Sequence, residues 1–243
     1  MELTVLGCSG SYNGADGRAC SGYLVREGDS QVWIDCGTGT FGELQRRMPV
    51  DELSAVVLTH EHPDHVVDVY GLHVMMRYAL GRKGLPVYAP AGLDQKLGTL
   101  VQGDWGGTFS WQAIDRDSEV NVGALTMRFS RTDHPPPTYA VELSGNGSRL
   151  VYSSDTGPGW SVEAFAGGAD LVLSEATYLH DEKPAPIHLS AKEAGAAARA
   201  AGARKLMLTH LWPLVDRPAA VAEGSAAYGE PVVLAEPGQT TII

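Results

Sequence analysis

Thr59-His60-Glu61-His62-Pro63-Asp64-His65 sets three imidazoles and a carboxylate into six positions, directly after the apolar run Val56-Val57-Leu58. Imidazole nitrogen and carboxylate oxygen are the donors that first-row metals such as zinc take. At this composition the His-x-His-x-Asp-His order would arise by chance in roughly one chain in two thousand, so a solvated polar turn is a poor account of it. Pro63 and the short spacing bar a regular helix through the motif and predict a tight loop that aims side chains to both sides.

Outward from the motif, other apolar runs end the same way. Leu206-Met207-Leu208-Thr209-His210 repeats the strand-then-histidine pattern of residues 56–60. Leu150-Val151-Tyr152-Ser153-Ser154-Asp155 resembles Asp170-Leu171-Val172-Leu173-Ser174-Glu175, and Asp35 follows Val32-Trp33-Ile34. Asp35, His60, His134, Asp155, Glu175 and His210 are thus expected at strand ends or just beyond them, where the loops of an α/β sheet converge on one crevice. Strands are predicted at 2–6, 22–26, 31–35, 55–58, 86–88, 124–130, 139–143, 149–153, 170–174, 205–208 and 231–235. Helical spacing covers 65–81. Ser190 with Glu193 forms a capping box that opens a helix over 190–202. No low-complexity linker divides the chain.

With Asp35, His134, Asp155 and His210 following in order, the motif resembles the metallo-β-lactamase superfamily. The resemblance covers nearly the whole chain. It implies an α/β fold, a four-layer αβ/βα sandwich of two mixed sheets with helices outside, with residues 1–243 as one domain. It also implies two divalent metal ions, zinc first, with manganese or iron as alternatives. His60, His62 and His134 would hold one ion, Asp64, His65 and His210 the other, and Asp155 would bridge them. Asp35 would orient a ligand imidazole from behind. His73 and His180 read as packing or surface residues. Trp105, Trp111 and Trp212 read more readily as core or lid packing than as base-stacking platforms.

The superfamily's ligands do not choose a substrate. Two such ions lower the pKa of bound water towards neutrality, which serves lactams, lactones, thioesters and phosphodiesters alike. Ser174-Glu175-Ala176-Thr177 and His188-Leu189-Ser190 narrow the choice, because they are similar to paired elements of the RNase Z-like phosphodiesterase branch. That resemblance implies that His188 meets the phosphate or protonates the leaving oxygen and that Glu175 fixes its tautomer. Asp64 would also help take the proton from the attacking water. Leu189 departs from the branch, where a hydroxyl residue stands.

RNase Z enzymes that process tRNA precursors carry a Gly- and Lys-rich arm. Here Asp155 and Glu175 are only twenty residues apart, and Glu175 and His188 thirteen, with no basic insertion. The chain has 18 basic and 29 acidic residues, a formal charge of −11, where a polyanion-gripping protein shows a basic surface. Nucleic acid is disfavoured as a partner. The remaining chain, from Leu6-Gly7-Cys8-Ser9-Gly10-Ser11 to Leu208-Thr209-His210, resembles the armless bacterial group that includes cyclic-nucleotide phosphodiesterases, which implies a small cyclic nucleotide or similar diester as substrate. tRNA 3′ processing and a lactonase or other ester hydrolysis are the alternatives, and loss of catalysis to a scaffold role is disfavoured by the intact ligand set. Three cysteines, Cys8, Cys20 and Cys36, without Cys-x-x-Cys spacing suggest reduced thiols. With no basic-then-apolar leader and no membrane-length apolar run, a cytoplasmic protein is expected, with no membrane partner and a homodimer as one option.

Overall fold

Continuous apolar runs such as Val56-Val57-Leu58 and Leu206-Met207-Leu208 call for strands covered on both faces. The computed structural model, which describes residues 1–101 and 104–243, has two sheets of seven strands each. The first contains β1 (Glu2–Gly7), β2 (Gly22–Glu27), β3 (Ser30–Ile34), β4 (Ala55–Val57), β5 (Leu85–Pro90), β6 (Phe109–Ile114) and β14 (Thr240–Ile242), in the order β14-β1-β2-β3-β4-β5-β6. The second contains β7 (Glu119–Val122), β8 (Leu125–Arg131), β9 (Tyr139–Gly145), β10 (Ser148–Tyr152), β11 (Leu171–Glu175), β12 (Leu206–Thr209) and β13 (Val233–Leu234), in the order β13-β12-β11-β10-β9-β8-β7.

Each sheet is antiparallel on one side and parallel on the other. β3 to β6 run parallel, as do β10 to β13. β3 and β10 are the strands where the pattern changes in each sheet, and Asp35 and Asp155 lie just past their ends.

The sheets stack face to face. Val25, Val32, Ile34 and Val57 of the first meet Met127, Phe129, Val141 and Leu173 of the second in one buried cluster. The alternate side chains point outward. Leu24, Trp33 and Val56 pack under α1 (Thr40–Gln45), α2 (Pro63–Val66), α3 (Val69–Val74) and α4 (Leu93–Gly98). Val151, Val172 and Leu206 pack under α5 (Val162–Ala166), α6 (Ala191–Ala200) and α7 (Arg217–Tyr228). This is the four-layer arrangement expected, two mixed sheets flanked by helices.

Several local expectations need correcting. The motif is not all loop. Pro63 takes the first position of α2, where its missing N–H costs nothing, so Asp64 and His65 project from a helical turn and His62 sits at its cap. The helix expected over 65–81 is broken into the end of α2, α3 and a π-helical turn over Met75–Leu80. The strands β6, β7 and β14 and the helices α1, α4, α5 and α7 were not foreseen. β6 and β7 mix exposed and buried residues without a clean alternation, and α7 is Ala-rich with little amphipathic contrast. The capping box is as expected: the Ser190 hydroxyl accepts from Glu193 N–H, and the Glu193 carboxylate accepts from Ser190 N–H. No helix among the described residues is long and apolar enough to cross a membrane.

Candidate metal centre

Every candidate ligand stands just past a strand end or on the turn that follows, and the backbone there is bent hard. Asp35, Ser154 and His210 have φ of 57°, 52° and 55°, and Ser11 has 63°. Among the described residues Asn146, in the β9–β10 hairpin turn, is the other non-glycine with positive φ. Left-handed backbone with a side chain costs about 1 kcal/mol or more per residue and persists only where the surroundings impose it. Here it turns the chain abruptly off β3, β10 and β12 so that Asp35, Asp155 and His210 face inward. Gly10 permits a close approach of two loops, since a Cβ there would lie 2.6 Å from the His210 carbonyl oxygen.

The side chains gather into two donor groups sharing Asp155. In one, His60 Nε2 lies 3.1 Å from His62 Nδ1, and His62 Nδ1 lies 3.3 Å from His134 Nε2. Asp155 Oδ2 faces this group, 3.6 Å from His60 Nε2 and 3.9 Å from His134 Nε2. In the other, Asp64 Oδ2 is 3.5 Å from His65 Nε2 and 3.3 Å from His210 Nε2. Asp155 Oδ1 faces it, at 3.3 Å and 3.4 Å from the same two nitrogens. Four donors placed about 2.0–2.1 Å from a tetrahedral ion are spaced about 3.3–3.4 Å from one another. Both groups approximate that spacing.

Hydrogen-bond accounting gives the same fit. Thr177 Oγ1 donates to Glu175 Oε2 at 2.7 Å, so it can only accept from His210 Nδ1–H, at 2.9 Å. His65 Nδ1–H donates to Asp35 Oδ2 at 2.8 Å, and His134 Nδ1–H to the Ile187 carbonyl at 3.0 Å. The Thr59 hydroxyl donates to Asp35 Oδ2 at 3.0 Å and takes His60 Nδ1–H at 3.1 Å. Each of these four imidazoles thereby leaves Nε2 with a lone pair aimed into the centre, as a metal requires. His65 Nε2 and Asp155 Oδ1 are buried and have no hydrogen-bond partner. A buried acceptor without a partner is costly unless a cation sits beside it. The residues fit two divalent ions, with Asp155 between them.

Burial acts on every ionisation here, and neighbouring charges decide its outcome. Burial, reinforced by His65, pushes His60 well below the ordinary imidazole value. Burial opposes charge on His65 too, but Asp155, Asp64 and Asp35 outweigh it and hold that imidazole well above its usual value, so that a proton takes Nε2 wherever a cation does not. Asp155 is held well below the carboxylate range by His210, His65 and His60 against the opposing effect of burial.

His188 stands beside both groups. Its Nδ1 is 3.1 Å from Glu175 Oε1 and 3.9 Å from Asp155 Oδ2, and its ring stacks on His210 with centroids 5.4 Å apart. Burial lowers its pKa, but Glu175 reverses this and raises it to about 9. Glu175 is itself fully buried, and its Oε2 also accepts Leu189 N–H at 3.1 Å. The donor atoms of Asp155, His188 and His210 form a third cluster, so His188 borders the second group.

Sequence reading missed the residues that connect these parts. Ser11 N–H donates to Asp64 Oδ2 at 2.8 Å, Tyr152 OH to Asp35 Oδ2 at 3.0 Å, and Thr177 joins Glu175 to His210. Thr177 lies in the Glu175-Ala176-Thr177 element singled out above, without a role assigned to it, while Ser11 and Tyr152 carry no signal, since a Tyr in a strand or a Ser in a Gly-rich turn is commonplace. His73 and Trp105 pack against Phe109, away from the centre, and Trp111 joins the same aromatic group. His180 bonds the Ser190 hydroxyl. Trp212, in contrast, stacks on Tyr178, whose ring centroid is 6.3 Å from that of His188.

A family model described as the beta-lactamase superfamily domain matches residues 30–211, a span that contains every candidate ligand. The chain belongs to the metallo-β-lactamase superfamily. Members are metal-dependent hydrolases, and so is this protein. It is 38% identical over 250 residues to an uncharacterised protein of Mycobacterium tuberculosis (strain ATCC 25618 / H37Rv), covering 96% of this chain and 88% of that one. It is 32% identical over 216 residues to the probable metallo-hydrolase YhfI of Bacillus subtilis, covering 87% of each. The crystal structure of YhfI, a metallo-β-lactamase fold protein, superposes with a TM-score of 0.89 over 99% of both chains, at 29% identity. Ribonuclease Z of Haloarcula marismortui is 29% identical over 300 residues, covering 98% of this chain and 95% of that one.

Proposed function

We propose that this metallo-β-lactamase superfamily member is a two-metal phosphodiesterase acting on a small cyclic nucleotide or similar diester. The observation that carries the proposal is the His188–Glu175 pair, a buried imidazole fixed by a carboxylate at the edge of both donor groups. A lactone or lactam also expels a leaving group that takes up a proton, but it brings no negative charge of its own for a cationic group there to neutralise. A phosphodiester, which keeps a negative charge and must expel an alkoxide, gains from one.

The bound ions would supply an activated water near neutral pH and neutralise the phosphoryl oxygens. The chain's own residues do the rest. Asp155 and the five imidazoles His60, His62, His65, His134 and His210 supply the donors, with Asp35, Thr59, Thr177 and the Ile187 carbonyl fixing the tautomers of all but His62. Asp64 Oδ2 is held by Ser11 N–H and stands between His65 and His210, so this carboxylate is placed to accept the proton of the attacking water. His188 Nδ1 is tied to Glu175, which leaves Nε2 to carry a proton to the leaving oxygen or to stabilise its charge. Zinc is the proposed ion. The three buried free thiols suit a reducing compartment, here proposed as the cytoplasm.

The substrate is proposed to be small because the molecule offers little grip on a polyanion. Arg26, Arg47, Arg128, Arg149, Arg204 and Arg217 are each paired with a carboxylate. The segment between Glu175 and His188 is taken up by a short connection, 178–187, with one 3₁₀ turn at His180–Glu182. The Ribonuclease Z alignment needs 300 positions for a chain of 243, so that relative carries insertions absent here. The test compares metal-loaded protein on a 3′,5′-cyclic nucleotide, a homoserine lactone and a precursor tRNA. The cyclic nucleotide should give the highest kcat/KM. Preferred opening of the lactone, or site-specific 3′ cleavage of the tRNA at physiological salt, would replace the proposal with that activity.

A further inference from the structure

We propose that Tyr12, Trp212 and Tyr178 form a binding wall for the heterocyclic base of the substrate, an inference that rests on the phosphodiesterase reading above. All three are tied by the chain to the metal centre. Trp212 is two residues past His210, and its N–H donates to the Thr177 carbonyl at 3.0 Å. Tyr12 follows Ser11, whose N–H holds Asp64. Tyr178 follows Thr177, which holds His210.

The rings make a continuous run outward from the reacting region. The Tyr178 centroid is 6.3 Å from the His188 ring, Trp212 stacks on Tyr178 at 5.8 Å, and Tyr12 meets Trp212 edge-on at 5.2 Å. Tyr12, the outermost, is 43% exposed, while Tyr178 and Trp212 are half-buried. This differs from the Trp105 group, where the rings bury one another and the indole N–H donates to the Asp94 carbonyl. In the Trp212 group, the indole N–H and the Tyr12 and Tyr178 hydroxyls have no protein hydrogen-bond partner among the described residues. An aromatic surface with free donors along its edge suits a flat heterocycle with polar exocyclic groups. Base–aromatic stacking of this kind tolerates different bases and needs no charge. The wall itself is uncharged, which suits a neutral base rather than a second phosphate.

The test uses metal-loaded wild type, Tyr12→Leu, Trp212→Leu and Trp212→Phe, with cyclic AMP and an abasic ribose 3′,5′-cyclic phosphate as substrates. The ratio of kcat/KM between the two should fall about tenfold in Trp212→Leu and several-fold in Tyr12→Leu, through KM for cyclic AMP. Trp212→Phe should restore most of it. Wild type that turns over neither diester would defeat the phosphodiesterase reading. Equilibrium binding of AMP would then test the wall by itself, with affinity expected to weaken about tenfold in Trp212→Leu. Equal loss on both substrates, an unchanged ratio, or AMP binding that ignores Trp212 would overturn the wall and leave loop packing as the role of these rings.

Discussion

Asp155 turns one carboxylate oxygen towards each donor group, so its removal would reach both ions at once. Asp155→Ala should retain less metal and lose more turnover than alanine at His62 or His134, each of which belongs to one group. Elemental analysis beside kcat checks this, and a variant with two metals and near-normal turnover would rule out bridging. His188 makes the opposite case. His188→Ala should keep its metal while kcat falls by roughly 10² or more on a phosphodiester. Glu175→Gln should lose less, and the two losses should not add, because both act on one imidazole. Glu175 also holds Thr177 and through it His210, so its variant should bind metal somewhat more weakly as well. A nitrophenyl ester, whose leaving group needs no proton, should rescue His188→Ala if that residue is the general acid. A fully active His188→Ala enzyme would remove the main reason for preferring phosphodiesters.

At the scale of elements, strands aim the ligands and helices hold the strands in place. The pairing of α6 with α7 covers the outer face of β11 and β12, which end at Glu175 and just short of His210. Gly195 of α6 lies against the backbone of α7. A Cβ there would crowd the Gly224 carbonyl and stand 3.0 Å from both Tyr228 N and Ala227 Cβ. Gly195→Val should therefore destabilise the protein by about 1–3 kcal/mol, read as a lower urea midpoint with the m-value unchanged. A midpoint equal to wild type would mean that the two helices separate freely. Much of this scale could be read beforehand. The strands that end in Asp35, Asp155, Glu175 and His210 announce themselves by apolar runs, and α6 by its capping box. β6 and β7 could not be read, because partly exposed strands lack a continuous apolar signal. The turn of α2 was hidden because Pro63 reads equally as a breaker and as a helix start.

For the molecule as a whole, the centre joins the two sheets, since His60 and His65 come from one and Asp155 and His210 from the other. Metal should then act as a cross-link. An ion at a thousand times its Kd adds about 4 kcal/mol to the folded state, and for a chain of this size each kcal/mol shifts Tm by about 2–4 °C. Chelation should lower Tm by about 10 °C or more by calorimetry. The single domain proposed for residues 1–243 should melt in one transition before and after. An unchanged Tm would mean that the donor groups hold no ion. The acidic balance makes a separate prediction. Precursor tRNA should bind with micromolar or weaker affinity that collapses as salt rises, checked by filter binding from 50 to 200 mM salt.

The sequence by itself determined the candidate donor set and the type of fold. Metal chemistry restricts ligands to few residue types, and His60, His62, Asp64 and His65 are concentrated enough in the chain to be recognised without coordinates. Strand-ending acids and histidines showed which segments meet at one edge. Tertiary structure alone decided how they meet. Ser11 reaches Asp64 across 53 positions, and Tyr152 reaches Asp35 across 117. Such contacts depend on sheet register and on a few left-handed residues, neither of which leaves a local trace. The imidazole tautomers likewise follow from hydroxyls and carbonyls brought in from distant segments. The rings of Tyr12, Tyr178 and Trp212 become one wall only when three loops close on the same edge, because packing between loops is set by the sheets beneath them and not by the residues in the loops.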